Sequence, residues 1–156
     1  MNRAARVALL DVNVLVALFD PDHLHHEIAH DWFADNHAAG WATCPITENG
    51  FVRVVSNPAY GSGVRSAAVI AGLRKFCDAP GYAFWADGVS LADGALFNPA
   101  MISGHRQLTD IYLMGLAHKM GGCLATFDKT IPIKAVVGAK AAVVEVITPA
   151  GVESAS

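Results

Sequence analysis

Five short apolar segments, separated by helix-forming sequence, constrain this chain more than any other feature. They are Arg6–Leu10, Gly40–Cys44, Tyr82–Trp85, Cys123–Thr126 and Ala142–Ile147. Short apolar runs of this kind read as buried strands. Between them, Val12–Phe19 reads as a helix. His25–Ala38 reads as an amphipathic helix with Ile28, Ala29, Trp32 and Phe33 on one face. Pro45 suits the first turn of a third helix, which runs to about Ser56 and is stopped by Asn57-Pro58. Val64–Cys77 is a fourth, and Leu108–Met120 a fifth, closed by Gly121-Gly122. Asp87–Gly104 is the least regular stretch, expected as loops with a short helical turn. Strands alternating with helices predict a single α/β domain over residues 1–148, built on a central, mostly parallel sheet. The tail 149–156 is small and polar and is expected to fray. In such sheets ligands bind outside the carboxyl ends of the strands, so functional residues are sought there.

Composition narrows the classes. The chain has 156 residues, a size that suits one domain. Hydrophobic residues make up 53% and mean hydropathy is +0.36, which excludes a disordered chain. Charged residues are only 16%, so each one carries more information than usual. The net charge of −3 argues against gripping nucleic acid by bulk charge, though not against doing so through bound metal. Cys44, Cys77 and Cys123 form neither a disulfide framework nor a zinc pattern, and the cytoplasm is the default compartment. The longest apolar run, Val7–Phe19, is interrupted by Asp11 and Asn13 and is too short to span a bilayer. Arg3 and Arg6 resemble the basic start of a signal peptide, but Asp11 breaks the apolar run and no clean cleavage site follows.

Four carboxylates fall where the fold would place a ligand. Asp11 directly follows the first strand, and Asp128 lies two residues beyond Thr126. Glu48 is in the first turn of the helix entered at Pro45, and Asp110 in the first turn of the helix from Leu108. Any one of them suits a cap or a helix dipole. The helix from Leu108 is apolar nearly all round, however, so it should be buried. A lone carboxylate there is costly unless something positive neutralises it, and only Arg106 is near in sequence. A divalent cation is the economical partner, and hard oxygen ligands select Mg²⁺ or Mn²⁺.

Leu10-Asp-Val-Asn-Val-Leu15, Ile46-Thr-Glu-Asn-Gly50, Leu108-Thr-Asp-Ile-Tyr-Leu113 and Ala125-Thr-Phe-Asp128 resemble the four acidic motifs of a PIN domain. The resemblance is to the VapC toxins of type II toxin–antitoxin pairs, and it spans about residues 7 to 147. Asp22–Trp32 is also similar to the second helix of one VapC subgroup. The resemblance implies a PIN-like three-layer α/β/α sandwich. It implies a divalent-metal-dependent endoribonuclease that cuts structured RNA, such as tRNA or rRNA loops, to 5′-phosphate and 3′-hydroxyl ends. Asp11 and Asp110 would then be direct metal ligands, with Glu48 and Asp128 completing the site directly or through water. Asn13 and Thr126 would orient these acids by hydrogen bonds. Thr47 and Thr109 are weaker candidates, because first-turn threonines are often caps. The family also implies a homodimer and a VapB-type antitoxin that occupies the acidic site. With the four acids neutralised, the remaining ten face eleven bases. Arg53, Arg65, Arg74, Lys75, Arg106, Lys119 and Lys129 then become candidates for phosphate contacts.

Two rivals stand beside this reading. His26-Glu-Ile-Ala-His30 is a literal zinc-protease motif, with Glu48 at a tolerable distance for a third ligand. Its longer metzincin form fails at Phe33 and Asn36. Helix geometry places His26, His30 and His37 roughly 90–130° from the centre of the buried face, at the helix border. His25 points into the apolar side as a packing residue. The other rival is a PIN-like fold that only binds RNA or protein, since fold never proves activity. The presence of all four acids disfavours it.

Overall fold

The computed structural model describes residues 6–149. The five strands are Ala8–Leu10 (β1), Trp41–Thr43 (β2), Tyr82–Phe84 (β3), Cys123–Thr126 (β4) and Val144–Val146 (β5), and the sheet order is β3-β2-β1-β4-β5. Every pairing is parallel. The helices are Val12–Phe19 (α1), His26–Asn36 (α2), Pro45–Ser56 (α3), Ser66–Cys77 (α4) and Leu108–Lys119 (α5). Helices α1 to α4 cover one face of the sheet, packed on Leu10, Trp41 and Ala125. Helix α5 covers the other, packed around Leu9, Ala42 and Leu124. The result is a PIN-like α/β/α sandwich.

Several boundaries differ from the sequence reading, each for a local reason. Helix α2 starts at His26, and the 3-10 turn His37–Ala39 replaces its last residues before Gly40 (φ 98°) redirects the chain into β2. Helix α4 begins at Ser66, not Val64. Strand β5 is shortened to Val144–Val146 because the 3-10 turn Ala141–Val143 leads into it. The expected tail falls almost wholly outside the described residues.

Two helices carry the clearest sequence logic. Asp11 caps α1, its Oδ1 accepting the Val12 N–H at 2.6 Å. Pro45 occupies the first turn of α3, and Thr47 Oγ1 accepts the Cys44 N–H at 3.0 Å, so Thr47 serves as a cap. Helix α5 buries Ile111 and the whole run Leu113–Ala117. Its close approach depends on Gly115, where an added Cβ would lie 2.4 Å from the Phe97 ring. Phe97 comes from the irregular stretch and is itself buried. It is also pinned by an antiparallel bridge to Val136. That ring anchors a segment with little regular structure of its own.

Candidate active site

The register of β1 and β4 aligns Leu10 with Ala125. The next residue on each strand is therefore Asp11 on one and Thr126 on the other, side by side at the carboxyl edge. The Asp11 N–H continues the ladder to the Ala125 carbonyl at 3.1 Å. Thr126, fully buried, donates its hydroxyl to Asp11 Oδ2 at 2.9 Å. The same hydroxyl oxygen accepts the Asp128 N–H at 3.1 Å. Asp128 closes its own turn, its Oδ1 accepting the Thr130 N–H at 2.7 Å and the Thr130 hydroxyl at 2.6 Å. One threonine thus links the two strand-end acids.

Asp110 is brought to the same place by α5. Burial and the neighbouring Asp11 and Asp128 carboxylates push its carboxyl up to about 7. Burial also raises Asp11, against the opposing effect of the Thr126 and Val12 hydrogen bonds, and Asp128 adds to the rise. Every charge acting on Asp110 is another carboxylate. Three acids that repel one another, with no compensating base among the described residues, match an all-oxygen divalent-cation site in donor chemistry. Among the described residues, no three His, Cys, Asp or Glu side chains are already drawn together as a ready-made metal site.

Glu48 is hydrogen-bonded to residues of β2 and β3. The Thr43 hydroxyl donates to Glu48 Oε2 at 2.6 Å, and Tyr82 Oη reaches the same oxygen at 3.2 Å. Thr43 follows Trp41 by two residues, so both lie on the α1–α4 face, and Tyr82 packs on Trp41 at 4.8 Å. Glu48 is not among the charges acting on Asp11 or Asp110. Asn13 is exposed on the first turn of α1, and among the described residues no hydrogen bond joins it to these acids. Thr109 is exposed as well. The basic candidates Arg53, Arg65, Arg74, Lys75, Arg106, Lys119 and Lys129 are all exposed. Lys119 donates to the Gly88 carbonyl at 3.1 Å.

The histidines of the zinc-protease motif have a structural task. A helix leaves its last carbonyls without intrahelical partners. His26 Nδ1 donates to the Ala17 carbonyl at 2.7 Å, and His30 Nε2 to the Leu18 carbonyl at 2.8 Å. Both carbonyls belong to the last turn of α1. His37 stacks on Phe33 at 5.4 Å, and His25 packs on Phe127 at 4.6 Å. No sequence signal pairs His26 and His30 with α1. Their i, i+4 spacing, which suggested a metal, equally suits two donors reaching one neighbouring helix end.

A parallel α/β/α sandwich with acids gathered at the carboxyl ends of its central strands defines a protein of the PIN class. No protein-family model matches the chain. Curated relatives from Mycobacterium tuberculosis do. The chain is 43% identical to Ribonuclease VapC44 over 132 residues, covering 85% of this chain and 93% of the relative. It is 43% identical to Ribonuclease VapC39 over 132 residues, covering 84% and 95%. It is 47% identical to Ribonuclease VapC38 over 126 residues, covering 78% and 85%. The chain belongs to the VapC family. Among the described residues, no helix is long and apolar enough to cross a membrane.

Proposed function

We propose that this chain is the toxin of a type II toxin–antitoxin pair and an endoribonuclease that hydrolyses RNA with the help of Mg²⁺ or Mn²⁺. The observation that carries the reading is that Asp110 is acted on by the Asp11 and Asp128 carboxylates, and Asp11 by Asp128, with no base among the described residues acting on either. These three carboxylates would hold the ion, with Glu48 contributing only if it leaves Thr43 and Tyr82. A bound divalent ion would activate a water and stabilise charge on the scissile phosphate. Thr126 and the Val12 N–H occupy one oxygen each of Asp11 and hold that carboxylate in a single orientation. Asp128 is held through Oδ1 alone, by both the N–H and the hydroxyl of Thr130. Fixed acids of this kind align substrate without reorganising during the reaction. The products would carry 5′-phosphate and 3′-hydroxyl ends.

The partners follow from the family and from one surface. The relatives are named ribonucleases, which supports RNA as substrate; structured tRNA or rRNA loops are the targets the family resemblance implies. Helices α1 to α4 leave an apolar groove of about 710 Å³, lined by Leu18, Phe19, Phe33, Phe51, Leu73 and Phe76. It supports a VapB-type antitoxin as the natural inhibitor. A homodimer in the cytoplasm completes the proposal.

The test is cleavage of total cellular RNA mapped by new 5′ ends. Wild type and Asp110→Asn are compared in Mg²⁺, Mn²⁺, Zn²⁺ and EDTA. Discrete cuts that need Mg²⁺ or Mn²⁺ and vanish in the variant are expected. Cuts of wild-type strength from Asp110→Asn would overturn the site assignment. No cuts from metal-loaded wild type would favour a binding-only role.

A further inference from the structure

The segment after α1 carries side chains that neither the acids nor the α1 cap use. The chain turns at Asp20–Asp22, and His23 Nδ1 accepts the His25 N–H at 3.0 Å. This folds both imidazoles onto Phe127. The His25 ring lies 4.6 Å from Phe127, and the His23 ring is stacked at 6.4 Å with 23° between planes. The two imidazoles are 5.7 Å apart. All three rings remain partly exposed. Between the histidines, Leu24 is 89% exposed, the most exposed large apolar side chain among the described residues. It contributes nothing to either core cluster.

Position gives this cluster its meaning. Phe127 stands between Thr126 and Asp128, so the rings begin one residue, about 3.8 Å of backbone, from a site carboxylate. A chain of net charge −3 with an acid-rich centre is poorly equipped to hold RNA by its phosphates alone. Base stacking on aromatic and imidazole rings needs no positive charge, and unpaired RNA offers splayed bases to such surfaces. An exposed aliphatic side chain beside the rings supplies an apolar edge against which a base can lodge.

We propose that His23, Leu24, His25 and Phe127 form a platform on which an unpaired base of the RNA substrate stacks, next to the phosphate to be cut. The proposal rests on the ribonuclease reading and adds to it the residues that seat the substrate. It assigns them a positioning role, with no part in the bond-breaking itself.

The experiment uses the full chain carrying Asp110→Asn, in EDTA, so that binding is read without cleavage. The probe is an unpaired twelve-nucleotide RNA with one central 2-aminopurine, whose fluorescence falls when the base stacks. Quenching on binding is expected. Leu24→Ala and His25→Ala should each weaken binding by roughly tenfold or more, the usual effect of losing one stacking contact. Leu24 is exposed, so its replacement leaves the fold intact, and circular dichroism checks this for both variants. In the active chain the same substitutions should raise KM and leave kcat within about twofold. Absence of quenching in the parent, or unchanged affinity in both variants, overturns the platform. Unchanged affinity together with an altered sedimentation coefficient for Leu24→Ala would assign Leu24 to a protein contact instead. Quenching without any cleavage by metal-loaded wild type would sink the ribonuclease reading and leave the platform standing. Cleavage without quenching would do the reverse.

Discussion

Thr126 donates its hydroxyl to Asp11 across the boundary between β4 and β1, at 2.9 Å and 115 positions apart in the chain. A buried hydroxyl that holds an acid in place is the kind of support whose loss weakens a metal site without touching its ligands. Thr126→Val should cut cleavage about 10–100-fold and raise the Mg²⁺ concentration needed for half-maximal rate. Thr126→Ser should restore most of both. A Mg²⁺ titration of the two variants checks this, and equal Mg²⁺ dependence in Thr126→Val and wild type would count against it.

Asp110 makes the metal-free protein sensitive to pH in an uncommon direction. Its folded carboxyl is raised to about 7, from an ordinary value of 3.8. Between those values the folded state binds more protons than the unfolded one, so stability falls as pH rises. The contribution is full below pH 4 and lost above pH 7. In EDTA, Tm attributable to this group should therefore decline from pH 5 to pH 8. Asp110→Asn should flatten that slope and raise Tm at pH 8 by about 2–4 °C, the shift that 1 kcal/mol gives a chain of this size. Thermal melts at several pH values decide it, and parallel slopes for both proteins would be the failure.

Glu48 should behave differently from Asp110. Its carboxylate is engaged by Thr43 and Tyr82. Glu48→Gln should keep cleavage within about tenfold of wild type, because the change leaves the three converging acids untouched and an amide oxygen can still accept from Thr43. Side-by-side rates for Glu48→Gln and Asp110→Asn are the check. Equal, complete loss in both would place Glu48 among the ligands.

His26 and His30 should matter to stability and not to chemistry. Each alanine replacement removes a hydrogen bond from an α1 carbonyl, a loss of about 1 kcal/mol. Tm should fall by about 2–4 °C per site, with specific cleavage activity retained. Zn²⁺ should neither stabilise the wild type nor confer peptidase activity on it. A rise in Tm with stoichiometric Zn²⁺ that His26→Ala abolishes would revive the metal motif.

Gly115→Ala should destabilise the chain by about 1–3 kcal/mol, because the new Cβ meets the buried Phe97 ring. Phe97→Leu on the same background should recover part of the loss by giving the methyl room. A double-mutant cycle in urea measures the coupling, and simple additivity would show that the two sites do not touch.

Most of the frame was legible because local and tertiary signals agree. Val12–Phe19, Pro45–Ser56 and Cys123–Thr126 keep the bounds that capping residues, proline and apolar runs indicate. The four acid positions at strand ends and helix starts were legible through the fold rule that locates ligands there, and Thr126 only through the family resemblance. Which of them converge was not, because it depends on the face each side chain takes. Glu48 and Asp110 occupy similar first-turn positions in α3 and α5, yet those helices lie on opposite faces of the sheet. Phe97 was illegible for another reason. Its partner Gly115 carries no side chain, so no apolar pattern marks their contact. The imidazoles of His26 and His30 bond to backbone carbonyls, which are present at every position and leave no mark in the residue order.

The long separation between Asp11 and Thr126 has a consequence for synthesis. Strand β1 cannot be flanked on its second side until β4 has left the ribosome, and Asp110 and Asp128 both lie beyond residue 100. A nascent chain holding only the first hundred residues has Asp11 but none of the companions that make it useful. The acid centre is therefore assembled only after β4 has been made. The order of assembly is written into the sheet, with β1 waiting at its middle for β4.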